Sequence, residues 1–156
     1  MKKLNNKGFS LVELIIVIAI MAILVGVVGT QVIPYLENSR KAKDIQILSA
    51  WNTAAVSAYS TEAGALDATV EYVITVQASG LSFGPSGAKG LTNLENTFKS
   101  LSALTGGYNF SNEMSSKAGK DISTVTITID GDTGSVLTET TNTTPAKYTF
   151  DDIENK

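Results

Sequence analysis

Residues 7–13 read KGFSLVE, and residues 14–36 continue as LIIVIAIMAILVGVVGTQVIPYL without a charged side chain. As an α-helix, these 23 uncharged residues extend about 34 Å, which is enough to cross the apolar core of a bilayer. From Phe9 to Leu36 the one charged residue is Glu13. The sequence therefore predicts a membrane-spanning helix with a carboxylate in its first turn.

The residues before the apolar run are few and basic. Residues 1–8 contain Lys2, Lys3 and Lys7 and no acid, as the front of a secretory signal does. An ordinary signal has a shorter apolar region that ends at a small-residue cleavage site, whereas this run ends in IPYL at residues 33–36. We therefore expect the apolar segment to be kept in the mature protein.

A carboxylate inside an apolar membrane segment needs a partner. Inserting it unpaired costs about 3 kcal/mol, so such a residue marks a functional site. Glu13 lies one helical turn after Phe9, where a new amine would stand if the chain were cut after Gly8. The alternative interpretation is a carboxylate that snorkels to the membrane surface near the helix end.

These residues carry a family resemblance. The Lys-rich leader, the junction between Gly8 and Phe9, the glutamate at position 13 and the apolar run resemble the class III signal of type IV pilins and pseudopilins. The resemblance implies that a prepilin peptidase cuts between Gly8 and Phe9 at the cytoplasmic face and that Phe9 is then N-methylated. It implies further that Glu13 neutralises the amine of Phe9 on a neighbouring subunit, because two charges that are costly alone in lipid become tolerable as a pair.

The resemblance also implies partners and a location. The expected partners are further copies of the chain in a helical homopolymer, minor pilins, an assembly ATPase, a platform membrane protein and, before assembly, membrane lipid. We expect the prepilin in the cytoplasmic membrane and the mature chain in an extracellular pilus, or fimbria. The first choice of function is a major pilin for adhesion or twitching motility. A competence or type II secretion pseudopilin and a membrane-anchored surface binding module that does not polymerise are the alternatives.

Composition excludes much chemistry. The chain of 156 residues has no cysteine and no histidine, so disulfides, thiol nucleophiles and most triad or zinc chemistry are excluded. The mature chain would have 9 basic and 15 acidic residues, which argues against a nucleic-acid-binding surface. We therefore predict no enzyme and no cofactor. Many pilins close a C-terminal loop with a disulfide, so this chain is more similar to pilins of Gram-positive type.

Gly26, Gly29 and Pro34 interrupt the helical pattern near the end of the apolar run. Glycine costs about 1 kcal/mol in a helix, and Pro34 removes the hydrogen bond to the carbonyl of Thr30. We predict a helix kink at these three residues and hypothesise that residues 26–34 extend when the subunit packs in a filament. The spacing of the two glycines also suits close helix contact, which is the weaker interpretation.

Beyond Pro34 the pattern becomes amphipathic. Apolar residues at spacings of three and four predict a helix that resumes and runs to about Glu62, with Gly64 as its stop signal. Trp51 and Tyr59 lie on its apolar stripe, and we interpret them as core residues rather than a ligand platform. The basic run RKAKD at residues 40–44 either touches anionic lipid at the membrane surface or pairs with acids on adjacent subunits.

The C-terminal part predicts an antiparallel sheet. Threonine alternates with valine and isoleucine at residues 124–129, and the DGDTG turn at 130–134 is followed by a returning strand. Three or four strands are expected, the last at residues 147–150. Asp130 and Asp132 could bind calcium, but Asp-Gly is ordinary hairpin chemistry and no glutamate follows at the spacing of a calcium loop. We therefore expect no bound metal.

The predicted fold class is α+β: a long N-terminal helix with a C-terminal antiparallel β-meander packed on its second half, as in the pilin fold. Residues 70–76 could be a strand or a turn of helix, and residues 65–90 as a whole are expected to be an irregular connection with a short helix. The expected segments are a leader (1–8), a filament-core helix (9–36) and a globular head (37–156), the head comprising a spine helix (37–63), a variable connection (64–120) with a helix near 91–105, and a sheet (121–151).

Overall fold

The computed structural model describes residues 8–145 and 147–155, so the predicted leader lysines Lys2, Lys3 and Lys7 lie outside the described residues. The chain divides into two units, one up to Glu37 and the other from Asn38 onward. The helix α1 (Leu11–Glu62) contributes to both. The other elements belong to the second unit and are β1 (Glu71–Gln77), β2 (Gly80–Gly84), α2 (Leu91–Ser102), α3 (Phe110–Glu113), α4 (Lys117–Lys120), β3 (Ile122–Asp130), β4 (Val136–Asn142) and β5 (Ile153–Asn155).

The first unit is a helix with apolar side chains on all sides. Every residue from 8 to 36 is exposed, because the uniform apolar composition leaves no polar face and residues 8–37 of this unit contain no second element to pack on. Residues 26–34 are helical and Pro34 lies inside α1. The kink at Gly26, Gly29 and Pro34 and the extension of residues 26–34 in a filament stay predictions.

In the second unit, the amphipathic part of α1 forms the spine of a core. Its stripe buries Leu48, Trp51, Ala55 and Ala58, and Tyr59 packs half-buried against the same cluster. Trp51 meets the ring of Tyr108 edge to face, with centroids 4.8 Å apart. The interpretation of Trp51 and Tyr59 as core residues is therefore confirmed.

Five antiparallel strands form one sheet in the order β2-β1-β3-β4-β5. In its central rows Ile74 pairs with Ile127, and Ile127 pairs with Thr138. The helix α2 adds Leu94 and Phe98 to the same core. One face of the sheet is buried by this alternation and carries Tyr72, Ile74, Val76, Val125, Ile127, Ile129 and Val136. The predicted α+β pilin fold is confirmed.

The expectation of an irregular connection at residues 65–90 was wrong. This segment contains β1 and β2, and β1 is an interior strand of the sheet, between β2 and β3. The apolar residues Tyr72, Ile74 and Val76 alternate with less buried neighbours, which is the pattern of a strand with one face on a core. The sheet is therefore not a simple meander, since the neighbouring strands β1 and β3 are joined through β2 and three helices.

The strand expected at residues 147–150 was also misplaced. These residues are not a strand, and the last strand is β5, which adds Ile153–Asn155 to the edge of β4. Residues 147–150 instead follow a turn in which Lys147 N and Tyr148 N donate to Thr144 O. Phe150 is buried beneath Lys41, whose Nζ lies 5.1 Å from the ring centroid. Packing on α1 therefore replaces sheet pairing in this segment.

Candidate filament-assembly site

The predicted site residues lie at the start of α1. Gly8, Phe9 and Ser10 precede the helix without regular secondary structure, and all three are exposed. The side chain of Phe9 is 85% exposed. The junction between Gly8 and Phe9 is therefore accessible to a processing enzyme in the isolated chain.

Glu13 has a partner within its own helix. Its Oε2 accepts a hydrogen bond from the backbone N of Ser10 at 2.9 Å, and Leu14 N donates to Ser10 O at 3.2 Å. Ser10 thus occupies the N-cap position, and Glu13 supplies the returning half of a capping box. The Ser-x-x-Glu spacing at residues 10–13 is the sequence signal for this bond, which the predicted role of Glu13 did not include.

The rest of the first unit presents an open apolar surface. A shallow groove of about 390 Å³ is formed by Leu24, Val25, Val28, Gly29, Val32 and Ile33. A Cβ atom built on Gly26 or Gly29 meets nothing within 4 Å. The hydroxyl of Thr30 donates a hydrogen bond to Val27 O at 2.9 Å, so this polar group has a partner within the helix. The helix thus offers an apolar groove, with two positions where another backbone can approach closely.

Asp44 joins α1 to the segment before α4. The residue is buried, and its carboxylate accepts hydrogen bonds from the backbone N of Ser115 and of Ser116, both at 2.8 Å, and from the hydroxyl of Ser116. A Cβ on Gly119 would lie 2.3 Å from Asp44 Oδ2, so only glycine leaves room for the carboxylate. Asp44 was missed because it ends the basic run at residues 40–44, which reads as a solvated surface.

Asn52 makes the second polar connection from α1. Its Nδ2 donates to Val136 O at 3.2 Å, to Thr138 Oγ1 at 3.0 Å and to Ile153 O at 3.1 Å. The amide thereby ties α1 to both β4 and β5. The spacing of Asn52 from Leu48 and Ala55 places it at the apolar stripe, but nothing in the sequence predicts which acceptors its buried amide meets.

Asp130 and Asp132 lie in the turn between β3 and β4. Asp130 Oδ1 accepts from Asp132 N at 2.8 Å and from Thr133 N at 3.0 Å. The N–H donors of Thr133 and then Asp132 stabilise the charged carboxylate, so the pKa of Asp130 lies below its usual value. These are the bonds of a hairpin turn.

An acidic cleft of about 540 Å³ adjoins this turn and is formed by Ala68, Thr69, Val70, Glu71, Asp130, Gly131 and Asp132. Within residues 8–145 and 147–155, no group of three or more histidine, cysteine or carboxylate side chains is arranged to hold a metal ion. The expectation that Asp130 and Asp132 bind no calcium stays a prediction.

Comparison with known proteins identifies a sequence motif at the helix start. A family model described as the prokaryotic N-terminal methylation motif matches residues 3–29. No curated protein and no solved structure matches the chain. The matched motif is the class III signal of type IV pilins, and α1 with the antiparallel five-stranded sheet gives the arrangement of the pilin fold. The chain therefore carries the N-terminal methylation signal of type IV pilins and pseudopilins on a pilin-type α+β fold.

Proposed function

We propose that this chain is a structural subunit of a type IV pilus-like extracellular filament, and within that class a major pilin. A prepilin peptidase would remove residues 1–8, and an assembly ATPase with a platform membrane protein would add the subunit to the filament. The observation that carries the proposal is the exposed apolar part of α1, whose most apolar window has a mean hydropathy of 3.1 and no buried residue. Lipid covers this surface before assembly, and the same surface of other copies covers it afterwards.

The energetics explain why such assembly needs a machine. Lipid tails and packed apolar helices are similarly apolar, so the transfer of the helix from one to the other gives little hydrophobic free energy. Close packing at Gly26, Gly29 and the adjoining groove favours helix contact once subunits meet. External work is therefore required for extraction from the membrane, and packing retains the subunit in the filament.

Glu13 gives the contact its register by exchanging partners. In the isolated chain its carboxylate accepts from the neutral N–H of Ser10. After cleavage, the amine of Phe9 on a neighbouring subunit is a charged donor, and a charge-assisted hydrogen bond is about twice as strong as a neutral one. Each incoming subunit is thus placed where its own charge and that of its neighbour are neutralised.

The test is the substitution Glu13→Val, expressed in the native cells in place of the normal chain. We expect the variant to insert in the membrane and to be cut at Gly8, and we expect sheared filaments to be lost. The matched control is Thr30→Val, which removes a polar side chain from the same helix but no charge, and which should leave filaments in place.

Filaments at the normal level from Glu13→Val would contradict the role of this residue. A wild-type chain that stays in the membrane fraction without any sheared fibre would contradict the major-pilin proposal. That second outcome would favour the pseudopilin or the non-polymerising surface module.

A further inference from the structure

The strand β5 pairs with less than half of its neighbour β4. β4 has seven residues, and β5 pairs with the first three of them, Val136, Leu137 and Thr138. In the sheet order β2-β1-β3-β4-β5, residues 139–142 therefore have no neighbouring strand on the side of β5. Within the part of the chain that the structure describes, Thr140 Oγ1 in this stretch is buried and has no hydrogen-bond partner. This part of β4 could thus pair with four more residues.

The chain before β5 does not continue the strand, because Phe150 and Ile153 are packed on the same core. Ile153 is paired with Thr138 and lies half-buried against the core cluster. Phe150, three positions earlier, belongs to that cluster as well. Side chains of a strand alternate between its two faces, so residues three apart cannot both face the core in a regular strand. The burial of Phe150 therefore breaks the strand before Ile153.

Phe150 is held by the core and by α1. Its side chain is 8% exposed, and Lys41 Nζ lies 5.1 Å from the ring centroid, within the range of a cation–π interaction. Residues 149–152 have no regular secondary structure, and we call them the strap. We propose that the strap has two positions: one in which Phe150 is held on α1, and one in which the strap pairs along residues 139–142 of β4.

The register of β5 defines the paired position. Continuing this register by four residues gives the opposite pairs Glu139 and Asp152, Thr140 and Asp151, Thr141 and Phe150, and Asn142 and Thr149. The carboxylate of Asp151 would then lie beside Thr140 Oγ1 and could accept its hydrogen bond. The ring of Phe150 would lie beside Thr141, on the face of the sheet that points away from the core.

The turn before the strap can serve both positions. The backbone N and the hydroxyl of Thr144 donate to the carboxylate of Asp121, and Thr143 N donates to Asp121 O. These contacts fix the chain ahead of the strap and involve none of its residues. The change of position is therefore confined to a short segment between two fixed points, the turn at Thr144 and β5.

Opposing interactions act on the two positions. The paired position adds four residue pairs to the sheet, gives Thr140 Oγ1 an acceptor and suits threonine and phenylalanine, which favour strands. It removes Phe150 from the core and places two like charges, Glu139 and Asp152, directly opposite each other. The strand preference of this segment thus conflicts with the packing of Phe150, and such conflict makes alternative states similar in free energy.

The two positions would place the ring of Phe150 on different surfaces of the second unit. It lies under Lys41 of α1 in the held position and on the outer face of the sheet in the paired one. A contact that displaces Phe150 from α1 shifts the strap toward pairing, because a ligand favours the state that it binds. The strap therefore links α1 at Lys41 to the outer face of the sheet. This inference goes beyond the proposed function and requires no filament.

The test uses nuclear magnetic resonance on the full chain in detergent micelles. Phe150→Thr removes the ring held on α1 and keeps a residue that favours strands. We expect strand-type chemical shifts at residues 149–152, nuclear Overhauser contacts between Thr140 and Asp151, and exchange of the paired amides about tenfold slower than in the wild type. The matched control is Tyr148→Thr, which removes an aromatic side chain two residues earlier and should leave the strap unchanged.

Three outcomes would overturn the inference. One is a strap that stays irregular in Phe150→Thr, and another is equal pairing in Tyr148→Thr. The third is loss of β5 in Phe150→Thr, which would make Phe150 a support of that strand. Trp51 fluorescence verifies folding. If Phe150→Thr does not fold, Phe150→Leu with Asp152→Thr decides by the same contacts, because it keeps an apolar side chain and removes the like charge opposite Glu139.

Discussion

The helix α1 contains two parts that differ in whether their apolar side chains are covered by the same chain. Residues 11–36 are apolar on every side and all exposed, whereas residues 44–58 are apolar along one stripe and bury that stripe against a sheet. Ile23 in the first part is 67% exposed, and Leu48 in the second is fully buried. The pattern of apolar residues, rather than their number, decides whether a helical segment is covered by its own chain or by something else.

The polar side chains of the two parts differ in their burial and in their hydrogen-bond partners. In the second part Asp44 and Asn52 are buried, and the side-chain hydrogen bonds that the structure describes for them go to partners in the same unit. In the first part Glu13 is exposed and bonds only to the backbone of its own helix start, within the contacts that the structure describes. The proposed change of hydrogen-bond partner by Glu13 therefore breaks no contact of the core, whereas the bonds of Asp44 and Asn52 hold the second unit together.

The largest expected difference between the two parts is in the free energy of unfolding when a large apolar side chain is truncated in each. Leu48→Ala should lower the free energy of unfolding of the second unit by about 2–5 kcal/mol, since it leaves a cavity in a fully packed core. Ile23→Ala, on the exposed part of the same helix, should leave it unchanged. Denaturant unfolding of the full chain in mild detergent, followed by Trp51 fluorescence, measures both. Equal effects would mean that the two parts are not independent.

A smaller effect is expected when the charge of Asp44 is removed. Asp44→Asn replaces one acceptor oxygen by an N–H₂ group that faces the N–H groups of Ser115 and Ser116. We expect a loss of about 1–3 kcal/mol in the free energy of unfolding, because buried donors are left unpaired. Asp152→Asn, at an exposed carboxylate of the same unit, is the control and should change stability by less than about 0.5 kcal/mol.

Asn52→Ala should act locally at the edge of the sheet. The substitution removes the donor that Ile153 O shares with Val136 O and Thr138 Oγ1, so β5 loses its tie to α1. We expect a loss of about 1–2 kcal/mol, with faster amide hydrogen exchange concentrated at residues 153–155. Asn96→Ala, at an exposed position of α2, should leave exchange at β5 unchanged. Uniformly faster exchange across the sheet would contradict a local role.

The smallest effect is expected from acid at the turn between β3 and β4. The N–H groups of Thr133 and Asp132 keep the pKa of Asp130 below its usual value, so its contribution to stability is present above about pH 4 and is lost as the pH falls through the lowered pKa. The amide signals of Asp132 and Thr133 in NMR spectra should titrate together with a midpoint below about pH 4. A midpoint above that value would contradict these hydrogen bonds.

The sequence predicted the features that depend on neighbouring residues and not those that depend on contacts between distant parts of the chain. Local patterns were enough to predict the apolar helix, its continuation to Glu62 and the burial of Trp51. Each of these features depends on apolar spacing and charge within a few neighbouring residues. Composition left the segment around Tyr72, Ile74 and Val76 open between a strand and a turn of helix, because β1 becomes a strand through pairing with β3, which lies 47 to 59 positions further along the chain. Residues 147–150 were assigned to the sheet by composition, whereas their packing on α1 depends on Lys41 and on the turn at Thr144.

The same distinction between local and long-range interactions applies to the candidate site. Gly8, Phe9 and Glu13 were readable from a local motif that the family model at residues 3–29 also detects. The hydrogen bond from Ser10 N to Glu13 was equally local and was overlooked. The structural role of Asp44 could not be predicted, because its partners Ser115 and Ser116 lie more than 70 positions further along the chain.

The central claim is that the exposed part of α1 is exchanged from lipid into a filament after cleavage at Gly8. Mass spectrometry of the N-terminus of the protein in material sheared from the surface of its native cells tests this most directly. The account predicts thin fibres made of a chain that begins at N-methylated Phe9. A chain that begins at Met1 and stays with the membrane, with nothing in the sheared fraction, would contradict it.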